Sequence, residues 1–231
     1  MVKQKNHLTN IVTQKPTEGR GEFNKIIKMI KLLDILLEEK QKKYNILKQL
    51  RSPEDREKSY IIATQQKIQQ YIKKGSKGDL DLRYTKITSL PDNLTVGGHL
   101  YLSDTPPITS LPDNLTVGGN LELSYAKITS LPNNLTVRGY LNLSNSLIRA
   151  LPDNFTVGGS LELKNTEIRS LPDNLTVRGD LWLTNTPILS LPNNLTVGGN
   201  LHLKNTPLSN TSRTRLKIRQ MVPGVKGTIY T

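Results

Sequence analysis

The 231-residue chain contains no cysteine. That removes disulfides, thiolate zinc sites and every mechanism that runs through a cysteine nucleophile. It also has no continuous apolar run of the roughly 18 residues that a membrane-spanning helix needs. Residues 1–22, MVKQKNHLTNIVTQKPTEGRGE, lack the apolar block of a secretory signal peptide. Histidines are scarce, with only His7, His99 and His202. Aromatic residues number 11, or 5% of the chain, and hydrophobic residues make up 35%. Acidic groups are in deficit: 19 Asp and Glu face 32 Lys and Arg, a formal charge of +13 with a pI near 9.8. A charge of that size points toward polyanionic partners unless its location shows otherwise.

What the chain has in abundance is repetition. The string LPDNLTVGG starts at Leu90 and returns with small changes at Leu111, Leu131, Leu151, Leu171 and Leu191. The step is 20 residues, except for one of 21 whose extra residue is Pro106 or Pro107. Between these strings lies Leu-x-Leu: Leu80/Leu82, Leu100/Leu102, Leu121/Leu123, Leu141/Leu143, Leu161/Leu163, Leu181/Leu183 and Leu201/Leu203, seven turns of one unit. Such self-similarity is the signature of a solenoid.

The alternation in Leu-x-Leu places both leucines on one face of a short strand. Twenty residues do not hold a strand, a full helix and two turns, so the return segment, broken by Pro91 and its equivalents, is expected to be extended or a 3-10 turn. About six apolar side chains per unit contribute roughly 9–18 kcal/mol if fully buried. Ordering about 20 backbones costs roughly 20–40 kcal/mol. One unit alone does not fold; stacked units share a core and a parallel ladder.

The flanks differ. Residues 22–51 predict a helix with Phe23, Ile26, Ile30, Leu33, Leu37, Tyr44 and Leu47 on one stripe. Nine of the twelve residues from Ile26 to Leu37 are apolar, which predicts cover on more than one side. Ser52-Pro53-Glu54-Asp55 is a helix start, and the second helix, with Ile61, Ile68 and Ile72 inward, is expected to end near Lys74 at Gly75. The pair is expected to cap the exposed first turn. After Leu208 the repeat gives way to a basic tail.

The Leu-Pro pair in each turn, together with Leu-x-Leu, resembles the short bacterial class of leucine-rich repeats found in YopM- and IpaH-like effectors delivered by type III secretion. The resemblance covers residues 80–208 by motif and 22–74 by architecture. It implies an α/β leucine-rich-repeat solenoid: a short-strand parallel sheet on the concave side, an extended or 3-10 convex side, and an N-terminal α-helical hairpin cap. The corresponding division is a disordered segment at 1–21 serving as an export signal, a helical hairpin cap at 22–78, the solenoid at 79–209 and a basic C-terminal cap or tail at 210–231. The family usually places asparagine after Leu-x-Leu at the positions held here by Thr85, Thr105, Ala126, Ser146, Thr166, Thr186 and Thr206. On that pattern the ladder is expected to be weakest at Ala126. IpaH-like ligases need a cysteine that this chain lacks, so the implied activity is that of the non-catalytic YopM-like scaffolds. The implied role is a secreted effector that acts inside a host cell by binding a host protein.

On such a solenoid the residues between and beside the leucines point out from the concave face. Here they vary between turns while the framework does not. The candidate partner-binding set is Tyr84, His99, Tyr101, Glu122, Tyr125, Tyr140, Glu162, Asp180, Trp182 and His202. Five of the 11 aromatics fall on or beside this face. Tyr and Trp suit interfaces because they bury much area at low entropic cost.

Enzymatic readings find little support. His99 and His202 lie five strand spacings apart, roughly 24 Å, and Glu122 and Glu162 two spacings apart, about 9.6 Å. No catalytic residue, metal ligand or cofactor site is expected. The Asn93-Leu94-Thr95 strings match the N-glycosylation pattern, but asparagine that bonds the turn after proline explains them. The charge also divides unevenly: +10 over residues 1–78, −2 over 79–209 and +5 over 210–231. Lys40, Lys42, Lys43, Lys48 and Arg51 form a basic patch at the end of the first helix, where they also suit its dipole. The alternative function is therefore nucleic acid or anionic-membrane binding through the basic cap and tail.

Overall fold

The computed structural model of the chain describes residues 20–49, 52–104, 108–209 and 214–231. Most of the expected export segment, the insertion at Pro106 or Pro107, and Arg51 lie outside these residues. The chain divides into two units, residues 1–56 and 57–231. The first holds helix α1, Arg20–Gln49. Within it, Met29, Leu32, Leu33, Ile35, Leu36 and Leu37 are exposed, so the cover predicted for this apolar stretch is not supplied by the described residues.

Helix α2 spans Pro53–Lys73. Its first turn is closed by Ser52, whose hydroxyl accepts the Asp55 N–H at 3.0 Å, with Glu54 and Asp55 at the positive end of the dipole. It ends as glycine permits: Gly75 has φ +84°, and the Ser76 N–H reaches the Tyr71 carbonyl at 3.1 Å. In the second unit α2 covers the first turn of the solenoid. Ile68 joins the apolar core, Lys67 donates its ammonium to the Asp81 carbonyl, and the Tyr71 hydroxyl accepts the Gly97 N–H at 3.2 Å. Of the three isoleucines expected to face inward, Ile68 is buried, Ile61 is half-buried and Ile72 is exposed.

The repeats form two parallel sheets around one core. The front sheet has eight two-residue strands, from Leu80–Asp81 through Leu201–His202 and on to Ile229–Tyr230. Each pairs in register with its counterpart one turn away, as Leu80 with Leu100 and Leu181 with Leu201. The return segment forms a back sheet of six strands, Thr95–Val96 to Thr196–Val197, with the valines inward. The leucines and valines of both sheets are buried in one cluster with the Ile108–Ile188 row. Strands this short hold because the same backbone bond recurs from turn to turn, such as Leu121 N–H to Tyr140 O and Leu141 N–H to Ser160 O at 2.8 and 2.9 Å. The corner between the sheets needs glycine: a Cβ on Gly139 would lie 2.7 Å from the Gly119 carbonyl carbon.

The C-terminal residues close the other end. Helix α3, Thr214–Met221, leads into Val225, which bridges to Val197, and then into Ile229–Tyr230, which pairs with Leu201–His202. Arg219 clamps this return by donating to the Val225 and Gly227 carbonyls, both at 2.6 Å. Ile218, Val222, Val225 and Ile229 are buried. Residues 222–231 thus add an eighth, shortened turn to the seven legible as repeats.

Candidate interaction face

In-register parallel pairing brings equivalent side chains of successive turns within about 4.8 Å, so each column of the repeat becomes a row of contacts. The row between the leucines is half-exposed on the front sheet, and most of its members touch. The Asn142 amide donates to Glu122 at 3.0 Å, and the Ser144 hydroxyl donates to Glu162 at 3.2 Å. Lys164 pairs with Glu162 at 3.3 Å and sits 4.0 Å from the Trp182 ring centroid. Trp182 stacks on His202 at 3.4 Å, and His202 stacks on Tyr230 at 4.7 Å. A cation and three rings therefore form one column at the C-terminal end. Burial there holds the His202 imidazole below its ordinary pKa, so the ring is neutral at pH 7.

At the N-terminal end Arg83 is bidentate on Asp81, at 3.0 and 2.7 Å, and lies 5.0 Å from the Tyr101 ring centroid. His99 meets the same ring at 5.9 Å, tilted by 56°. In the middle, burial first and the carboxylates of Glu162 and Glu122 second push the Tyr140 hydroxyl well above its usual pKa. Burial likewise raises the Glu122 carboxyl.

The row before the first leucine behaves differently. Six of its seven side chains, all but Tyr140, accept the backbone N–H of the equivalent residue in the next turn: Asp79 from His99, His99 from Asn120, Asn120 from Tyr140, Ser160 from Asp180, Asp180 from Asn200, and Asn200 from Thr228. These bonds run from 2.7 to 3.0 Å. His99 and Asp180, two of the ten candidate residues, are therefore engaged in holding the stack.

The asparagine ladder lies one residue upstream of the expected position. Asn165 donates to Asn145 at 3.0 Å, Asn185 to Asn165 at 2.7 Å and Asn205 to Asn185 at 2.8 Å. These residues have φ near +58°, the left-handed region that asparagine tolerates better than other side chains. A second, interrupted ladder runs through the asparagines after the prolines, with Asn114 on Asn93, Asn174 on Asn154 and Asn194 on Asn174. Thr105 lies outside the described residues, and the other threonines expected to carry the ladder instead bond within their own turn. Thr85, Thr166, Thr186 and Thr206 donate to the leucine carbonyl three residues back within their own turn, at 2.6–2.7 Å. Ala126 lacks that side-chain bond, but its N–H still closes the turn on the Leu123 carbonyl at 3.1 Å, and no chain of asparagines passes through it.

At the ladder column itself, the first three turns depart from asparagine: Tyr84, Asp104 and Tyr125 occupy it with φ of 57°, 54° and 59°. Tyr84 is 76% exposed and Tyr125 62%. Both are bulky residues in a conformation that disfavours them, and neither ring contributes to the core.

Among the described residues, no three His, Asp or Glu side chains come together as a metal site requires, and no helix is long and apolar enough to cross a membrane. Lys40, Lys42 and Lys43 are exposed on α1, while the Lys48 side chain and Arg51 lie outside the description. Sequence reasoning missed Tyr230, the last ring of the stack. Its signal was present: Val225-x-Gly227-x-Ile229-Tyr230 matches Val197-x-Gly199-x-Leu201-His202. Neither a model of a known family nor a curated protein matches this chain.

Proposed function

We propose that the chain is a non-enzymatic scaffold that binds a partner protein through the front sheet and its ladder edge. A repeat solenoid is suited to this because it offers a long rigid surface whose side chains vary without disturbing the framework. The observation that carries the reading is the pair Tyr84 and Tyr125. The framework favours asparagine at their positions, as four later turns demonstrate, yet the chain keeps two exposed tyrosines there at a cost in stability. Strain retained in exposed aromatics fits a role in recognition.

The resemblance to YopM-like effectors extends the proposal: the partner is a host protein, and the chain is exported into the host cell. The test is affinity capture from eukaryotic cell lysate with the native chain and with the Tyr84→Asn/Tyr125→Asn double variant. A partner held by the native chain should be lost from the double variant while the fold stays intact. Equal capture by both overturns the assignment of these tyrosines.

A further inference from the structure

The back of the solenoid carries a second feature. At the first residue of the corner between back and front sheets, successive turns read Gly97, Gly118, Arg138, Gly158, Arg178 and Gly198. The framework favours glycine here because backbones stack closely. A Cβ on Gly118 would lie 2.3 Å from the Gly97 carbonyl oxygen, and one on Gly158 would lie 2.0 Å from that of Arg138. After an arginine the approach is closer still, so arginines in adjacent turns would clash and an intervening glycine is needed. The alternation leaves two arginine positions two turns apart, about 9.6 Å along the backbone stack, with a glycine between them.

Both arginines line one groove of about 490 Å³. Its lining residues also include Thr136, Thr156, Asn133 and Asn154, and no Asp or Glu. Asn133 stands where four other turns have an aspartate: Asp92, Asp113, Asp153 and Asp173. The turn that gains the first arginine has thus also lost its acid. Among the described residues, neither guanidinium has an ion-pair or hydrogen-bond partner. The groove therefore combines two planar, permanently charged donors with threonine and asparagine residues, and none of its lining residues is acidic.

We infer that this groove is a binding site for a tetrahedral oxyanion, a phosphate or sulfate group, held between Arg138 and Arg178 over the Gly158 backbone. It lies on the opposite sheet from the proposed protein-binding face. Phosphate and sulfate share the geometry that two guanidinium forks recognise, and they differ in charge near neutral pH.

The test is a backbone-amide NMR titration of the full chain with inorganic phosphate, inorganic sulfate and phenyl phosphate at constant ionic strength. Saturable shifts are expected at Thr136, Thr156 and Gly158 at millimolar ligand. A phosphate preference that grows between pH 6 and 8 marks a phosphate site; a pH-independent sulfate preference marks a sulfate site. Arg138→Gly and Arg178→Gly each restore the residue that other turns carry, so both should fold, as checked by thermal unfolding, and each should weaken binding at least tenfold. Arg149→Thr/Arg169→Thr removes two positive charges at another column, again by a framework residue, and should leave binding unchanged. The inference is overturned if no saturable shift occurs, if the glycine variants bind as the native chain does, or if the Arg149/Arg169 variant loses as much as they do.

Discussion

Replacing Tyr125 by asparagine should make the protein more stable, although it deletes an aromatic residue. Tyr125 sits at φ 59° and is 62% exposed, so little packing is lost. The left-handed conformation costs an ordinary side chain about 1–2 kcal/mol, and asparagine recovers much of that. The new amide would also extend the ladder in both directions, accepting from Asn145 above and donating to Asp104 below. Two exposed bonds of this kind contribute about 0.5 kcal/mol each, the low end for a net hydrogen bond. The expected gain is about 2 kcal/mol. For a cooperative unit of this size that corresponds to a rise in Tm of roughly 4–8 °C. Tyr84→Asn recovers the backbone term alone, because a carboxylate at Asp104 has no proton to donate to it. Its gain should be about half as large. Thermal unfolding of the full chain, followed by circular dichroism, measures both. A Tyr125→Asn variant no more stable than the native chain, or a Tyr84→Asn variant that gains more, would refute the reasoning.

Three further outcomes follow from the same geometry. The Ser146 hydroxyl is buried without a partner, whereas threonines at the same column bond the carbonyl three residues back; Ser146→Thr should raise stability by about 1 kcal/mol in urea unfolding. Gly158→Ala should destabilise by about 1–3 kcal/mol or more, since the added carbon would meet the Arg138 carbonyl at 2.0 Å. Burial, partly opposed by Asp180, holds the His202 pKa below the ordinary value. Below about pH 6.5 the unfolded chain therefore takes up a proton that the folded chain resists, and stability should fall as pH drops from there toward the lower folded value. His202→Gln should show a smaller Tm loss between pH 7.5 and 5.5; an equal loss would contradict the assignment.

The parts of the fold set by period were legible in the sequence. Leu-x-Leu and the 20-residue step placed seven front strands and the core rows correctly, because burial alternates with the pleat. The back sheet was harder to read, since Thr-Val is only two residues long and becomes a strand only when stacked on its neighbours. The ladder was misplaced by one residue because the left-handed φ at Asn145 and its equivalents is a property of the closed turn. His99 and Asp180 looked free for a partner because nothing local reveals that their acceptors point at the next backbone N–H. The eighth turn was hidden because α3 replaces the Leu-Pro segment that marks the others.

The central claim is that recognition uses the front sheet and its ladder edge. Hydroxyl-radical footprinting of the chain, alone and with a captured partner, tests it most directly. The expected result is reduced oxidation of Tyr84, Tyr125 and Trp182 in the complex, with the back-sheet residues unchanged. Protection confined to α1, the basic tail or the back sheet would contradict it.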